Sequence, residues 1–297
     1  MVDGILGNRA VAGIASSLID GTRVLGLHGV EDLDCVLEGL DWIRARFQPV
    51  SVSEIAVSVE TGVPLPDGVC ITFDDGDPSV LDLAMPLTEM GFQAAMFVCP
   101  GVIDTTTPYW WELIRRGARH SLRVEGIQLD QDSVESDLKS WPDEQRRAFI
   151  DSTRQALIAR GISVEARQLT KAELLQWSGI GHEVGNHTWD HPMLDTCSDA
   201  EQERQIRSAH HWFVRESVPT VPVFAYPNGN ATERSNEILR SLGYKCGFLF
   251  DHRVARADER RFEISRIRAN ADSRSARFRA SVSGLHPQVV AVRERLA

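Results

Sequence analysis

Two carboxylates stand side by side at the end of an apolar run in the sequence. The segment 68–73 (GVCITF) predicts a strand buried on both faces, and Asp74 and Asp75 follow it directly. Adjacent carboxylates at the end of a buried strand repel each other and lose hydration, so such a pair needs a proton or a cation between them. We infer a metal ion here; the alternative is a turn in which both carboxylates cap the following helix.

Two histidines four positions apart could complete such a metal site. In the segment 187–192 (HTWDHP), His187 and His191 can face one ion whether the backbone forms a helical turn or a tight loop. Two imidazoles and one carboxylate make a three-ligand site, which leaves a coordination position open for water. This arrangement is typical of catalytic rather than structural zinc sites, and it favours a metal-dependent hydrolase.

Composition excludes several other classes of protein. The 297 residues carry a formal charge of -10, and we expect no nucleic-acid partner because phosphate backbones are held by clustered Lys and Arg. The five cysteines are odd in number and form no C-x-x-C pair, which favours a reducing compartment. Residues 4–19 predict an amphipathic helix rather than a signal peptide or membrane span, because Asn8 and Arg9 interrupt the apolar run. We therefore expect a cytoplasmic protein with no transmembrane segment.

The rest of the sequence indicates how these residues could be brought together. Short apolar runs alternate with segments of helical period, and this alternation predicts a parallel sheet. Roughly seven repeats with short connections favour a closed α/β barrel, whose chemistry gathers at the carboxyl ends of its strands. The predicted strands lie at 23–28, 68–73, 93–98, 181–187, 222–226, 245–250 and 262–269, and the predicted helices begin near residues 31, 78, 108, 142, 170, 199 and 233.

One stretch interrupts this alternation. Residues from about 104 to 168 are mixed and polar, which predicts an insertion with little core of its own that packs on the scaffold. Its Trp110 and Trp111 have apolar neighbours at helical spacing, so they either enter the core or form a wall on which a sugar could stack. The predicted organisation is a single domain over residues 1–297, with a core at about 22–270, this helical insertion, and a C-terminal tail at about 284–297 whose helix begins at Pro287.

These motifs together resemble the signature of the polysaccharide deacetylase family (NodB homology domain, carbohydrate esterase family 4). The segments 72–76 (TFDDG) and 187–192 (HTWDHP) occur in the family's order. The flanking segments 181–186 (GHEVGN) and 224–229 (FAYPNG) make the resemblance specific. The resemblance extends from about residue 23 to about residue 268, and it covers the insertion least. It implies a distorted (β/α)7-type barrel.

The resemblance gives each residue of the two main motifs a role. It makes Asp75, His187 and His191 the metal ligands. It makes Asp74 the general base that takes a proton from metal-activated water. Thr188 would support the His191 loop by hydrogen bonding. Zn²⁺ is the preferred metal for such ligands, although Co²⁺, Ni²⁺ and Fe²⁺ also fit them.

The later motifs depart from the family's pattern. The third motif lacks the arginine that often precedes its proline, and Asn228 stands where tyrosine is common, although a backbone N–H near it could still serve the oxyanion site. Arg266 resembles an arginine found late in related deacetylases, and it either orients Asp74 or bridges two surface strands. His286 is either the general acid or a contact of the C-terminal tail. His28 ends the first strand and is either catalytic or structural.

Three functions fit this sequence. The first is a hydrolase of carbon–nitrogen bonds that removes an N-acetyl or other acyl group from a carbohydrate; without a visible export signal, a nucleotide-linked or lipid-linked sugar is the expected substrate. The second is a deacylase or cyclic-imide hydrolase acting on a small non-sugar amide, for which the altered third motif leaves room. The third is a catalytically silent carbohydrate-binding relative, and the presence of both aspartates and both histidines argues against it.

Overall fold

Seven short strands form one parallel sheet at the centre of the computed structural model, which describes residues 7–19, 21–256, 260–269 and 274–296. Within these residues the strands are β1 (Thr22–Leu27), β2 (Gly68–Phe73), β3 (Ala95–Val98), β4 (Arg123–Val124), β5 (Ile127–Gln128), β6 (Glu183–Asn186), β7 (Val223–Ala225), β8 (Cys246–Phe248) and β9 (Ile267–Arg268). β4 and β5 form a separate antiparallel pair, and the other strands lie in the order β8-β7-β6-β3-β2-β1-β9. The prediction of an α/β fold with a parallel sheet is confirmed.

The sheet curls so that one segment reaches both of its edges. Ile264 pairs with Phe248 of β8, at one edge. Ile267 of β9 pairs with Leu25 of β1, at the other. The strand predicted at 262–269 is therefore divided between two neighbours. The predicted distorted barrel is a curled half-barrel whose two edges are joined by this segment.

Most helices connect consecutive strands, as the alternation predicts. Capping boxes start several of them, including those at Ser51 with Glu54 and at Thr170 with Glu173; the second was predicted and the first was not. The helices are α1 (Arg9–Leu18), α2 (Leu33–Arg44), α3 (Val52–Thr61), α4 (Ala84–Glu89), α5 (Trp110–Arg119), α6 (Gln131–Leu138), α7 (Asp143–Ala159), α8 (Lys171–Gly179), α9 (Asp199–Arg215), α10 (Glu233–Ser241), α11 (Ala276–Val282) and α12 (Leu285–Leu296). Short 3-10 turns lie at Pro78–Leu83, Leu194–Thr196 and Pro227–Gly229.

Strand β2 is buried along its whole length, and this burial explains its continuous apolar sequence. Successive side chains of a strand point to opposite faces. Ile71 accordingly packs in the hydrophobic cluster on one face of the sheet, and Cys70 packs in the cluster on the other. Parallel pairing with β1 and β3 continues to Phe73, so Asp74 stands at the carboxyl edge of the sheet. The neighbouring parallel strands end at the same edge.

The insertion has a hydrophobic core of its own, so the prediction that it lacks one is wrong. Helices α5, α6 and α7 and the β4–β5 hairpin enclose this core, which means that the insertion is not purely helical. Its apolar residues are few, but they recur on the facing sides of the helices, and a polar average composition hides this pattern. Trp110 packs against the core, whose buried members include Leu113, Ile114, Leu138, Phe149 and Leu157.

Both terminal segments form helices. Helix α1 is the amphipathic helix predicted within residues 4–19, of which residues 1–6 lie outside the described part of the chain. Helix α12 begins at Leu285, two residues before Pro287, so the predicted start at Pro287 is corrected and His286 lies inside the helix. Within the described ranges, no helix is long and apolar enough to cross a membrane.

Candidate metal centre

The chain changes direction between the two aspartates at the end of β2. The Asp74 N–H still donates to the Leu27 carbonyl of β1 at 2.9 Å, so Asp74 continues the strand. Asp75 has φ = 70°, a left-handed conformation that aspartate adopts more readily than most residues. The Tyr109 hydroxyl holds this turn by donating a 2.5 Å hydrogen bond to the Asp75 carbonyl. The two carboxylates consequently meet different neighbours.

His187 follows β6, and hydrogen bonds fix both its backbone and its ring. Its N–H donates to the Val98 carbonyl at 3.0 Å, and its Nδ1 lies 2.7 Å from the Ala225 carbonyl oxygen of β7. A carbonyl oxygen can only accept, so Nδ1 carries the ring proton and Nε2 presents a lone pair. Metal-binding histidines are commonly oriented by such a hydrogen bond from the other ring nitrogen.

His191 is held by its loop rather than by a hydrogen bond to its ring. Thr188 and His191 have φ values of 71° and 62°, so the loop contains two left-handed residues that are not glycine. The Thr188 hydroxyl accepts a hydrogen bond from the His191 N–H at 3.1 Å, as predicted. The ring packs edge-on against Trp111, with 4.7 Å between centroids. Its buried Nδ1 has no hydrogen-bond partner among the described residues.

Three atoms from these residues lie at the spacing that a metal ion needs. Asp75 Oδ1 is 3.4 Å from His187 Nε2 and 3.3 Å from His191 Nε2, and all three atoms lie within 4.8 Å of one another. A tetrahedral zinc ion with bonds of roughly 2.0–2.2 Å separates its ligand atoms by about 3.3–3.5 Å. Asp75 Oδ1 is also buried and accepts no hydrogen bond from the described part of the chain. The donor set therefore fits a divalent metal ion.

Asp74 lies beside these ligand atoms but is held by an arginine. Arg266 Nη1 and Nη2 donate to Asp74 Oδ1 and Oδ2 at 2.7 and 2.8 Å. The Arg266 side chain is fully buried, and its Nε donates to the Leu249 carbonyl at 2.7 Å. Asp74 Oδ2 is 4.0 Å from His187 Nε2. Of the two predicted environments for Arg266, the observed one is the contact with Asp74.

The charges of the site move the pKa values of its members in different directions. Burial raises the pKa of Asp74, but Arg266 and His187 outweigh burial and hold it below its ordinary value. Burial lowers the pKa of His191 to about 4, so this imidazole is neutral near neutral pH and can bind a metal. Burial also lowers the pKa of His187, but Asp74 and Asp75 more than compensate and raise it. A metal ion on His187 Nε2 would therefore compete with protonation of that nitrogen.

Comparisons with known proteins identify a matching family model and solved structures of similar fold. The polysaccharide deacetylase family model matches residues 159–247, which contain both histidines. IcaB from Ammonifex degensii has a similar fold, with a TM-score of 0.59 and 19% sequence identity over 90% of this chain and 98% of that chain. The deacetylase PplD of Streptococcus pyogenes, solved in complex with acetate, has a TM-score of 0.57 and 16% identity over 88% of this chain and 96% of that chain. Residues 159–247 of the chain are thus similar to the polysaccharide deacetylase family, and the chain shares the fold of these solved structures.

A third solved structure supports the same fold. The deacetylase domain of BpsB from Bordetella bronchiseptica has a TM-score of 0.52 and 16% identity, over 83% of this chain and 94% of that chain. Among curated proteins, none matches the sequence. The solved structures therefore establish the fold of the chain.

The candidate metal centre opens into a groove of 830 Å³. Tyr109 and Trp111, both from the insertion, form a stacked pair on its border, with 4.5 Å between ring centroids and 6° between ring planes. Trp110 also borders the groove, although it packs against the core of the insertion. The two tryptophans were predicted either to enter the core or to form a wall. Trp110 packs in the core of the insertion, whereas Trp111 forms part of the groove wall beside His191.

The other predicted site residues lie at unequal distances from the centre. His28 borders the groove, and its Nε2 is 3.9 Å from Asp75 Oδ2. Asn228 also borders the groove, with φ = 58° in the turn after β7. His286 is not among the residues that line the groove, and its Nδ1 lies 2.7 Å from His252 Nε2. For His286 the structure therefore favours the alternative of a tail contact.

Two residues that support the candidate metal ligands, Tyr109 and Arg147, were not predicted from the sequence. Tyr109 holds the Asp75 turn, and Arg147 of α7 pairs with Asp190, the residue before His191. Asp190 lies inside the histidine motif, directly before His191. Its charged side chain beside a candidate metal ligand indicates that it has a cationic partner. Nothing in the sequence identifies which arginine that partner is.

Proposed function

We propose that this chain is a metal-dependent hydrolase that removes an N-acetyl group, or another acyl group, from a carbohydrate. The observation that carries the proposal is the spacing of Asp75, His187 and His191 beside the separate, arginine-bound carboxylate of Asp74. Three ligands leave a position for water, and a carboxylate that is not a ligand is available to accept a proton. The similarity of residues 159–247 to the polysaccharide deacetylase family supports the carbohydrate substrate.

The metal would be held by one oxygen and two nitrogens. These are Asp75 Oδ1, His187 Nε2 and His191 Nε2. A divalent cation bound there would lower the pKa of water and polarise the acyl carbonyl. Zn²⁺ suits two neutral imidazoles and a carboxylate, and Co²⁺, Ni²⁺ and Fe²⁺ accept the same ligands.

Asp74 acts as the base that accepts the proton of the attacking water. The bidentate contact with Arg266 fixes the plane of the carboxylate and restrains it from turning towards the metal ligands. Each carboxylate oxygen keeps a second lone pair, so Asp74 can accept a water proton while it remains bound to Arg266. Arg266 is thus a positioning residue for Asp74.

His28 and Asn228 act on the two sides of the acyl carbon–nitrogen bond that breaks, the leaving nitrogen and the carbonyl oxygen. The leaving amine nitrogen must gain a proton, and His28 borders the groove near Asp75 with its ring edge against Phe250, at 5.6 Å between centroids. We assign His28 as the proton donor. The backbone N–H near Asn228, in the turn after β7, donates to the oxygen that develops negative charge.

The groove wall supports a sugar rather than a small amide as the substrate. Sugar rings present apolar C–H faces that pack on aromatic rings, and the stacked Tyr109 and Trp111 offer such a surface within reach of His191. A groove of 830 Å³ also exceeds what an acetamide-sized molecule requires. A nucleotide-linked or lipid-linked acetylated sugar is the substrate we propose to test first.

The test compares metal content with turnover in the Asp74→Asn variant. We expect the variant to keep its metal and to lose about 10²–10⁴ in rate, because it lacks the base but retains all three metal ligands. Elemental analysis gives the metal content, and acetate release from a panel of acetylated sugars, with and without chelator, gives the rate. Asp82→Asn is the matched control: Asp82 is exposed and outside the groove, so both quantities should remain unchanged.

Each other outcome points to a different mechanism. Wild-type turnover by Asp74→Asn would exclude Asp74 as the base, and loss of metal would make it a ligand. Turnover restricted to small non-sugar amides would favour the cyclic-imide or deacylase function. Failure of the wild-type chain to bind any divalent ion after supplementation would favour a catalytically silent relative.

A further inference from the structure

One arginine of the insertion joins the His191 loop to two helices. Arg147 of α7 donates to Asp190 through Nη1 at 3.1 Å and Nη2 at 2.8 Å, and Asp190 directly precedes His191. The same guanidinium donates through Nε to Asp143 at 2.7 Å and through Nη2 to Glu201 of α9 at 3.3 Å. A single side chain therefore connects the insertion, the metal-binding loop and the barrel helix α9.

The surroundings of Arg147 form a charge-balanced network. Gln205 of α9 completes the attachment of the loop: its Oε1 accepts from the Trp189 and Asp190 N–H groups at 3.0 and 3.1 Å, and its Nε2 donates to Asp190 Oδ1 at 2.6 Å. The carboxylates of the network have arginine partners in equal number. These carboxylates are Asp143, Asp190 and Glu201, and the arginines are Arg146, Arg147 and Arg204.

The His191 loop needs such external support. The His191 ring has no hydrogen bond at Nδ1 from the described residues, whereas the His187 ring is fixed by the Ala225 carbonyl. The left-handed backbone of Thr188 and His191 is a conformation that persists only where the surroundings enforce it. The position of the His191 imidazole therefore depends on the contacts that hold the loop.

We propose that Arg147 is a positioning residue for metal binding, because it holds Asp190 and thereby keeps His191 directed at the metal centre. The insertion then has two roles, since it borders the groove and also completes the metal-binding geometry. This inference rests on the proposed function, because it requires that the centre binds a divalent ion.

A simple electrostatic effect predicts the opposite result. Replacement of Arg147 removes a positive charge from the neighbourhood of a bound cation, so Coulomb repulsion alone would make metal binding tighter. Loss of positioning makes metal binding weaker. The sign of the change in affinity therefore separates the two explanations.

The experiment measures the dissociation constant of Zn²⁺ for the full chain, by competition with a chelator. We expect Arg147→Met to weaken binding about 10–100-fold. Arg115→Met is a matched control within the same insertion: Arg115 is bonded to Glu135 at 2.9 and 3.0 Å, and both arginine side chains are 40% exposed. The control should bind Zn²⁺ within about twofold of the wild type, because its partner Glu135 lies outside the His191 loop and a partly exposed ion pair contributes little by itself.

A second variant keeps the test decisive if Arg147→Met fails to fold, as judged by thermal unfolding of the zinc-free protein. Arg147→Lys keeps the charge and loses the bidentate geometry, so weaker Zn²⁺ binding by a folded Lys variant supports positioning. Wild-type or tighter Zn²⁺ binding by either folded variant overturns the inference. A wild-type chain that binds no Zn²⁺ contradicts the proposed function instead, so the two failures are distinguishable.

Discussion

The two imidazoles of the metal centre lie four positions apart in the sequence, yet different regions of the molecule hold them. His187 belongs to the barrel, since it follows β6 and its ring is hydrogen-bonded to a carbonyl oxygen of β7. His191 belongs to a loop that contacts the insertion through Trp111 and through the pair formed by Asp190 and Arg147. Backbone hydrogen bonds of the sheet thus orient one ligand, and side-chain contacts orient the other.

This difference suggests that the barrel and the insertion contribute to the site in different ways. Strand register fixes the residues at the carboxyl edge, because moving one of them would require the sheet to shift. Side chains of the insertion can change without disturbing the sheet. We therefore expect barrel substitutions to affect folding and metal binding together, and insertion substitutions to affect mainly metal affinity.

The largest expected effect comes from removing a ligand. Asp75→Ala, His187→Ala and His191→Ala should each abolish metal binding, because two remaining ligands cannot hold the ion. The comparison predicts a further difference: His187→Ala leaves the buried Ala225 carbonyl without its donor and should cost an additional ~1–3 kcal/mol of unfolding free energy. His191→Ala leaves no such group, since its Nδ1 has no partner among the described residues.

Elemental analysis and urea unfolding of the metal-free variants check these expectations. His120→Ala, which changes an exposed histidine at the end of α5, is the control and should keep both the metal and the stability. Full metal occupancy in any ligand variant would contradict the ligand assignment. Equal stability of the metal-free His187→Ala and His191→Ala proteins would contradict the proposed division between barrel and loop.

Arg266→Met should have the next largest effect. It leaves the Asp74 carboxylate buried and uncompensated, which typically costs about 3–5 kcal/mol of unfolding free energy. The corresponding change in the insertion, Arg147→Met, should cost only about 1 kcal/mol or less, because Arg147 is 40% exposed. Urea unfolding of the metal-free proteins measures both values.

A double variant tests the cause of the Arg266 effect. Adding Asp74→Asn to Arg266→Met removes the stranded charge and should restore part of the lost stability. If the double variant is as unstable as the sum of the two single variants, the pair is not coupled and the buried-charge explanation is wrong.

Tyr109→Phe should have the smallest effect. The substitution removes the hydroxyl that donates to the Asp75 carbonyl and leaves the aromatic wall in place. One lost hydrogen bond is worth about 0.5–1.5 kcal/mol, so Zn²⁺ affinity should fall roughly 2–10-fold. Competition with a chelator measures the change, and an unchanged affinity would show that the insertion does not help to hold the Asp75 turn.

The barrel side of the site could be predicted because parallel strands collect their carboxyl ends at one edge. Asp74, Asp75 and His187 each follow an apolar run directly, so the sequence placed them together before any contact was known. Helix α3 was missed although Ser51 and Glu54 carry the pattern of a capping box. The capping-box pattern that marks the start of this helix was therefore present in the sequence.

The insertion side could not be predicted, because its contacts join distant side chains. Arg147 and Asp190 are 43 positions apart, and other arginines of the insertion have the same chemical character. Arg266 could be assigned only to one of two environments, since the choice depends on how the sheet curls. The core of the insertion was missed because its average composition is polar. Burial depends instead on the apolar residues that lie on one face of each helix.

The segment that joins both edges of the half-barrel also carries Arg266. Arg266 and Asp74 are 192 positions apart, and the same segment pairs β9 with β1 near the start of the chain. Contacts between such distant positions form late in folding, because the loop between them must lose its entropy first. A chain that has collapsed but not yet joined its edges could present the metal ligands while Asp74 still lacks its arginine. If the chain has the hydrolase activity proposed above, recovery of that activity during refolding would report the last step of chain closure rather than the first collapse.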